Sequence, residues 1–184
     1  MSLKKWLHRG LMGAFAASSL AIASSSAIAQ STTGGFTIFG GVDSEYRLGY
    51  FIDNNERRSP DARYYLQVAG RKVNEEILEL QITYPEEFED QGGYFTKARV
   101  ELREGSGRGG ATIPVDEVVY DEETNTFEIY PIDPIEPNSS FVVVFHEVRN
   151  PNRYNNFYFY LDALYQGGPL RELVGIWPLE VSAE

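Results

Sequence analysis

Residues 141–165 read FVVVFHEVRNPNRYNNFYFYLDALY, two dense apolar runs either side of an Asn/Pro-rich connection. Val, Phe and Tyr are the residue types that fit a pleated, half-buried surface. Both runs are of strand rather than helix length, and Pro151 interrupts any continuous ladder between them. The stretch predicts two strands that need other strands to cover them.

Working outward, the chain supplies those strands. In residues 77–84, Leu78, Leu80, Ile82 and Tyr84 alternate with Glu79, Gln81 and Thr83, and Pro85 ends the run. That period of two marks a half-buried strand. Residues 97–104 alternate likewise, with Ala98, Val100 and Leu102 set against Lys97, Arg99, Glu101 and Arg103. Residues 113–120 and 127–130 flank the turn-forming DEETN at 121–125, a hairpin signature. Pro131, Pro134 and Pro137 make the next link stiff and extended, and residues 173–181 read as the last strand. Trp177-Pro178 inside that strand predicts an edge position or a bulge. Upstream, residues 36–39, 46–52 and 64–69 are strand-like, with the turn-rich DNNERRSPD at 53–61 between the second and third. Residues 86–90 place four acids around Phe88 and predict one short helical turn held on by that ring.

No stretch carries a long apolar period of 3.6, which argues against βαβ folds. Eight or nine strands with turn signals at this spacing predict an all-β, two-layer antiparallel β-sandwich, immunoglobulin-like in general architecture.

The N-terminal residues read as a separate segment. Lys4, Lys5 and Arg9 form a positive region, residues 11–22 a modest apolar run, and Ala27-Ile28-Ala29 a small-x-small cleavage pattern. Residues 1–29 are expected to be a cleavable signal peptide, because five serines make the run too short and polar for a membrane span. Residues 30–184 then form one domain behind a polar lead at 30–35. An exported protein, periplasmic or extracellular, is the expectation, with no membrane span left after cleavage.

Charge and cysteine content narrow the chemistry. The leader holds three of the 16 basic residues and none of the 27 acids, so the remainder is more acidic than the whole-chain net charge of −11. Such a surface is repelled by phosphate backbones, which argues against nucleic-acid binding. With no cysteine, disulfides, thiol nucleophiles and Cys-ligated metal sites are excluded.

Several motifs invite a functional reading. Residues 105–110 read GSGRGG, matching G-x-G-x-x-G, yet the extended ATIP follows where a dinucleotide site needs a helix N-terminus. A plain loop is expected there. His146, the one histidine after the leader, has no second His or Cys with which to hold zinc, and reads as a packed or rim residue. Asp121, Glu123 and Asn125 offer hard oxygen ligands on the hairpin connection, so calcium is the one cofactor the sequence leaves open, although the EF-hand spacing is absent. Tyr158 and Tyr160 lie on the strand face opposite Phe157 and Phe159. Together with Trp177 they are the candidate aromatic face for a glycan or an envelope protein. Arg149, Asn150 and Pro151 are expected to build a structural turn, with Asn152 tolerant of unusual φ.

The strand ending ITYP, then IPVDEVVYDEETNTFEIYP, PIDPIEPNSSF, VRNP and VGIWPLEV together resemble the cyanobacterial secreted family catalogued as domain of unknown function twenty-eight-zero-eight. The resemblance runs from about residue 77 to 181. Tyr154-Asn155-Asn156 departs from the Gly-Gly that members show after the Pro, so that turn is expected to differ. The resemblance implies export and a β-rich domain, and it carries no catalytic residues. The expected function is a non-enzymatic envelope module for binding or structure. The alternatives are a secreted glycan hydrolase using paired carboxylates and a calcium-dependent adhesion module.

Overall fold

The computed structural model of the protein describes residues 41–95 and 99–182. The expected signal peptide, polar lead and first short strand at 36–39 lie outside the described residues, as do Lys97 and Ala98.

In chain order the strands are β1 (Gly49–Asp53), β2 (Ala62–Val68), β3 (Ile77–Thr83), β4 (Arg99–Glu104), β5 (Thr112–Ile113), β6 (Val115–Asp121), β7 (Thr126–Pro131), β8 (Phe141–Val148), β9 (Asn155–Tyr165) and β10 (Glu172–Val181). One helical turn, α1 (Glu87–Asp90), and a single 3-10 turn at Gly70–Lys72 are the helical content among the described residues. The strands form two five-stranded antiparallel sheets, ordered β1-β2-β8-β4-β5 and β10-β9-β3-β7-β6. This is the expected β-sandwich.

The two strands of residues 141–165 do not pair with each other. β8 is the centre of the first sheet, and β9 is flanked by β10 and β3 in the second. The VRNP connection therefore carries the chain from one layer to the other. Asn150 fixes this crossing. It is wholly buried, its Oδ1 accepts from the Tyr64 hydroxyl at 2.7 Å, and its Nδ2 donates to the carbonyls of Asn54 at 3.0 Å and Glu56 at 2.9 Å. Pro151 accepts the Arg58 amide and the Ser182 hydroxyl. Arg149 exchanges both backbone hydrogen bonds with Tyr94 and lays its guanidinium over that ring. Asn152, tolerant of unusual φ, does not use that tolerance here. Positive φ falls instead on Asn54, Asn125 and Asn138, each in a tight connection.

The core is aromatic. Phe95 packs on Phe88 at 5.1 Å between centroids, on Phe145 at 5.2 Å and on Phe127 at 5.4 Å, joining α1 to both sheets. Phe88 is wholly buried, so the single helical turn is held on by its one apolar side chain, as its sequence suggests. Among aromatic residues, edge-to-face and offset arrangements of this kind add about 0.5–1.5 kcal/mol per pair beyond area burial.

Two details depart from the simple alternation. In β3 a register shift between Ile77 and Glu79 turns Leu78 outward and places Glu79 at 6% exposure. Arg171 meets the buried carboxylate, its Nε donating at 2.8 Å. In β1 the strand begins at Gly49, and the residues before it run beside the edge strand β10, where Leu48 donates to Ile176 and Ile176 to Tyr46. A side chain at Gly175 would meet the Tyr46 carbonyl at 2.6 Å, so only glycine admits this approach. β10, which contains Trp177-Pro178, is indeed an edge strand with a bulge between Leu173 and Gly175.

Candidate functional site

Each sheet presents an outer face. On the second sheet that face is set by the pleat of β9. Phe157, Phe159 and Leu161 point into the core, so Tyr158, Tyr160 and Asp162 point out. The pairing extends this face sideways. Tyr160 sits opposite Ile176 on one side and Thr83 on the other, Thr83 sits opposite Thr126, and Pro178 sits opposite Tyr158. The result is a run of aromatic, aliphatic and hydroxyl side chains, in which Ile176 and Thr126 are buried and Arg47 is bridged to Ile176 at the β10 edge. Tyr158 is 37% exposed. The Tyr160 phenol pKa is raised by burial and then by the Tyr158 phenol two residues before it on the same face. Asp162 borders this patch, and burial raises its carboxyl above the usual range.

Trp177 does not belong to this face. It pairs with Phe159, is wholly buried, and donates its indole N–H across the sandwich to the Gln67 carbonyl at 3.1 Å. The strand alternation that exposes Pro178 turns Trp177 inward, so its place in the sequence-derived aromatic face is corrected.

The outer face of the first sheet is charged. The outward residues of β8, Val142 and Val144, are nonetheless fully buried together with Tyr65. Glu101 and Arg103 of β4 stand opposite them on one side, Tyr65 and Gln67 of β2 on the other. Long polar side chains covering apolar surface with their stems account for this. His146, next on the same face, is 5% exposed, with Nε2 2.9 Å from Glu101 Oε2. Glu101 also accepts from Arg103 at 2.9 Å and Thr112 at 3.1 Å. The Arg103 guanidinium, followed by the hydrogen bonds from His146 and Thr112, lowers its pKa to about 2. An ionised Glu101 only accepts, so His146 Nε2 carries the proton of this bond. Burial lowers the His146 pKa, and the nearby Arg63 and Arg99 add to the shift.

Beyond His146 the ladder is broken. Ala62 pairs with Val148 but Tyr64 pairs with Phe145, so two β8 residues stand opposite Arg63 alone. This is a β-bulge, and its second residue, Glu147, adopts φ 57°. A left-handed conformation costs a non-glycine residue about 1–2 kcal/mol. In return Glu147 stays out of the core and Val148 returns to it, fully buried. The bulge opens a cavity of about 460 Å³ lined by His146, Glu147, Arg63, Arg99 and Asp61, with Asn54 and Asp53 at its rim. Arg63 and Arg99 flank His146 from neighbouring strands, and among the described residues neither forms an ion pair. Sequence reasoning recognised His146 as packed but not this cavity, whose signal is the HEV triplet: strict alternation would send Glu147 inward.

The hairpin acids are engaged locally. Asp121 Oδ1 accepts the Glu123 amide at 2.8 Å, Thr124 hydrogen-bonds lower its carboxyl pKa, and Asn125 takes φ 53° to close the turn. Among the described residues no three His, Cys, Asp or Glu side chains converge as a metal ion would require. In the GSGRGG loop Gly105, Gly107 and Gly109 all have positive φ, and β5 follows rather than a helix.

Residues 36–181 match the family described as Protein of unknown function (DUF2808). The chain belongs to this family. No curated protein matches it. Among solved structures, it is similar to the collagen-binding domain of a Staphylococcus aureus adhesin at 14% identity and TM-score 0.37, covering 70% of this chain and 93% of that one. ACE19, the collagen-binding subdomain of the Enterococcus faecalis surface protein ACE, is similar at 11% identity and TM-score 0.44, covering 75% and 98%. An uncharacterised Nocardia farcinica protein with an immunoglobulin-like fold is similar at 12% identity and TM-score 0.43, covering 70% and 83%. These likenesses concern the fold. Among the described residues no helix is long and apolar enough to cross a membrane.

Proposed function

We propose that this DUF2808 domain is a non-enzymatic binding module, exported to the cell envelope, that holds a surface glycan against the outer face of β9. The observation that carries the reading is the uncharged run of Tyr158, Tyr160, Ile176, Pro178, Thr83 and Thr126 on a chain with 27 acidic residues. A flat row of phenol rings with hydroxyls beside it suits sugars. The rings take the apolar C–H faces by stacking, and the Tyr hydroxyls exchange hydrogen bonds with the sugar, while the Thr83 and Thr126 hydroxyls bond to each other at 3.1 Å. Rigid aromatics on a strand lose little conformational entropy on binding, which favours affinity from a small area.

Export rests on the charge order and cleavage pattern of the first 29 residues. The module reading needs no metal, and calcium at Asp121, Glu123 and Asn125 would compete with the turn that already engages Asp121.

The test is co-sedimentation of the protein with purified envelope polysaccharide. Tyr158→Ala and Tyr160→Ala are each expected to weaken binding roughly tenfold, the size of a modest aromatic hot spot. Retention equal to wild type in both variants would refute the assignment of this face. The hydrolase reading draws on one feature, the raised carboxyl of Asp162 beside the same patch. Across Gln81 from it, Glu128 is already bonded to Arg171 and Tyr130, which leaves no second free carboxylate opposite. Release of new reducing ends from the polysaccharide, abolished in Asp162→Asn, would favour that reading instead.

A further inference from the structure

We propose that the cavity at the β8 bulge is a second binding site, on the opposite sheet from Tyr158, for a carboxylate-bearing sugar of the uronic acid class. Three observations converge on it.

The first is charge. Among the described residues only Arg103, Arg108 and Arg171 are paired with carboxylates, and of the arginines that are not, Arg63 and Arg99 face one cavity. Arg63 donates only to the Tyr65 hydroxyl, at 3.3 Å, and Arg99 forms no ion pair among the described residues. They stand on the strands either side of β8, which puts their backbones roughly 10 Å apart at the usual strand spacing. A carboxylate between them receives planar, charge-assisted hydrogen bonds from both sides.

The second is the rest of the lining. Asp61, Glu147 and Asn54 offer oxygen acceptors at the same cavity, and so does Asp53, which is paired with Arg108. These bind hydroxyl donors and repel additional negative charge. A ligand with one carboxylate and several hydroxyls satisfies both halves. A neutral sugar leaves the arginines without their anion, and a sulfate or a chain of phosphates meets repulsion from the acids. A cavity of about 460 Å³ accommodates a single pyranose ring with bridging water.

The third is the backbone. Glu147 is held at φ 57° by the bulge, and that bulge alone turns two successive side chains, His146 and Glu147, toward one cavity. Strained residues of this kind cluster at ligand sites, where the surrounding structure holds them in place. The floor is rigid as well, because His146 is fastened to Glu101, which Arg103 and Thr112 hold in turn.

The test is a titration of the full chain with D-glucuronate, D-glucose and sodium sulfate, followed through the imidazole resonances of His146. The chain has only two histidines, and His146→Gln assigns the signal. D-glucuronate is expected to shift the His146 resonance saturably, whereas D-glucose and sulfate leave it unmoved. Arg63→Gln and Arg99→Gln, both exposed side chains whose loss leaves the core intact, are each expected to weaken D-glucuronate at least tenfold. Arg99→Lys, which keeps the charge and loses the planar fork, is expected to fall between. Tyr158→Ala is expected to bind D-glucuronate as wild type does, so this site stands or falls independently of the β9 face. Failure of D-glucuronate to saturate, wild-type affinity in both Gln variants, or sulfate binding as tightly as D-glucuronate would each overturn the proposal.

Discussion

Replacing Asn150 by alanine is the sharpest test of how the two layers are joined. Asn150 is wholly buried where the chain crosses between the sheets, and its side chain makes three hydrogen bonds. Alanine removes the acceptor of the Tyr64 hydroxyl, which is itself fully buried and has no water to turn to. Orphaning a buried polar group of this kind costs about 1–3 kcal/mol. The carbonyls of Asn54 and Glu56 belong to exposed residues and regain solvent, so they add less. A total near 3 kcal/mol follows, about a 6–12 °C fall in Tm for a domain of this size. Thermal unfolding by circular dichroism reads it directly. Tyr64→Phe in the same background removes the orphaned hydroxyl, so the double variant is expected to be more stable than the sum of the singles by about 1 kcal/mol. An Asn150→Ala protein melting within about 2 °C of wild type, or strictly additive singles, would refute the reasoning.

Acid is expected to destabilise the domain in two stages. The His146 pKa is depressed on folding, chiefly by burial, and that of Glu101 falls from 4.5 to about 2, chiefly through Arg103. Both contribute stability that is full above the unfolded pKa and lost as pH falls through the folded one. The His146 part fades below pH 6.5 and the Glu101 part between 4.5 and about 2. Melting curves between pH 7.5 and 2.5 check this, and His146→Gln is expected to flatten only the upper stage. Arg171→Met strands the buried Glu79 carboxylate and is expected to cost about 2 kcal/mol in urea unfolding, with Glu79→Leu added to it recovering most of the loss. Calcium and chelator are expected to leave Tm unchanged, because Asp121 already closes its own turn. A calcium-dependent rise would restore the hairpin as a site.

Strand positions were largely legible because the side-chain period is a local property. Leu80, Ile82, Val100, Leu102, Phe157 and Phe159 alternate as their strands require, and Phe88 declares its helical turn. What escaped were the places where one residue breaks the period. The β3 bulge turned Leu78 outward beside Glu79, which Arg171 covers on the outer face, and the β8 bulge made the cavity at His146. Such bulges depend on pairing partners distant in sequence, here Tyr165 for Ile77 and Arg63 for the HEV triplet. Trp177 was misplaced for a related reason. Its neighbour Pro178 signals an edge strand correctly, but which of the two faces outward follows from the register with β9. Strand order was equally silent, because an Asn/Pro-rich link reads the same whether it joins paired strands or changes layer. Of the candidate sites, the tyrosine row could be read from alternation alone, while the arginine-flanked cavity required three strands brought together by the fold.

The central claim, that the outer face of β9 binds envelope glycan, is tested most directly by mapping amide chemical-shift changes as purified polysaccharide fragments are added to the labelled protein. Changes gathered on Tyr158, Tyr160, Thr83, Thr126 and Ile176 are the predicted result. Saturable changes confined to other surfaces, or none at all with fragments large enough to span the row, would contradict it.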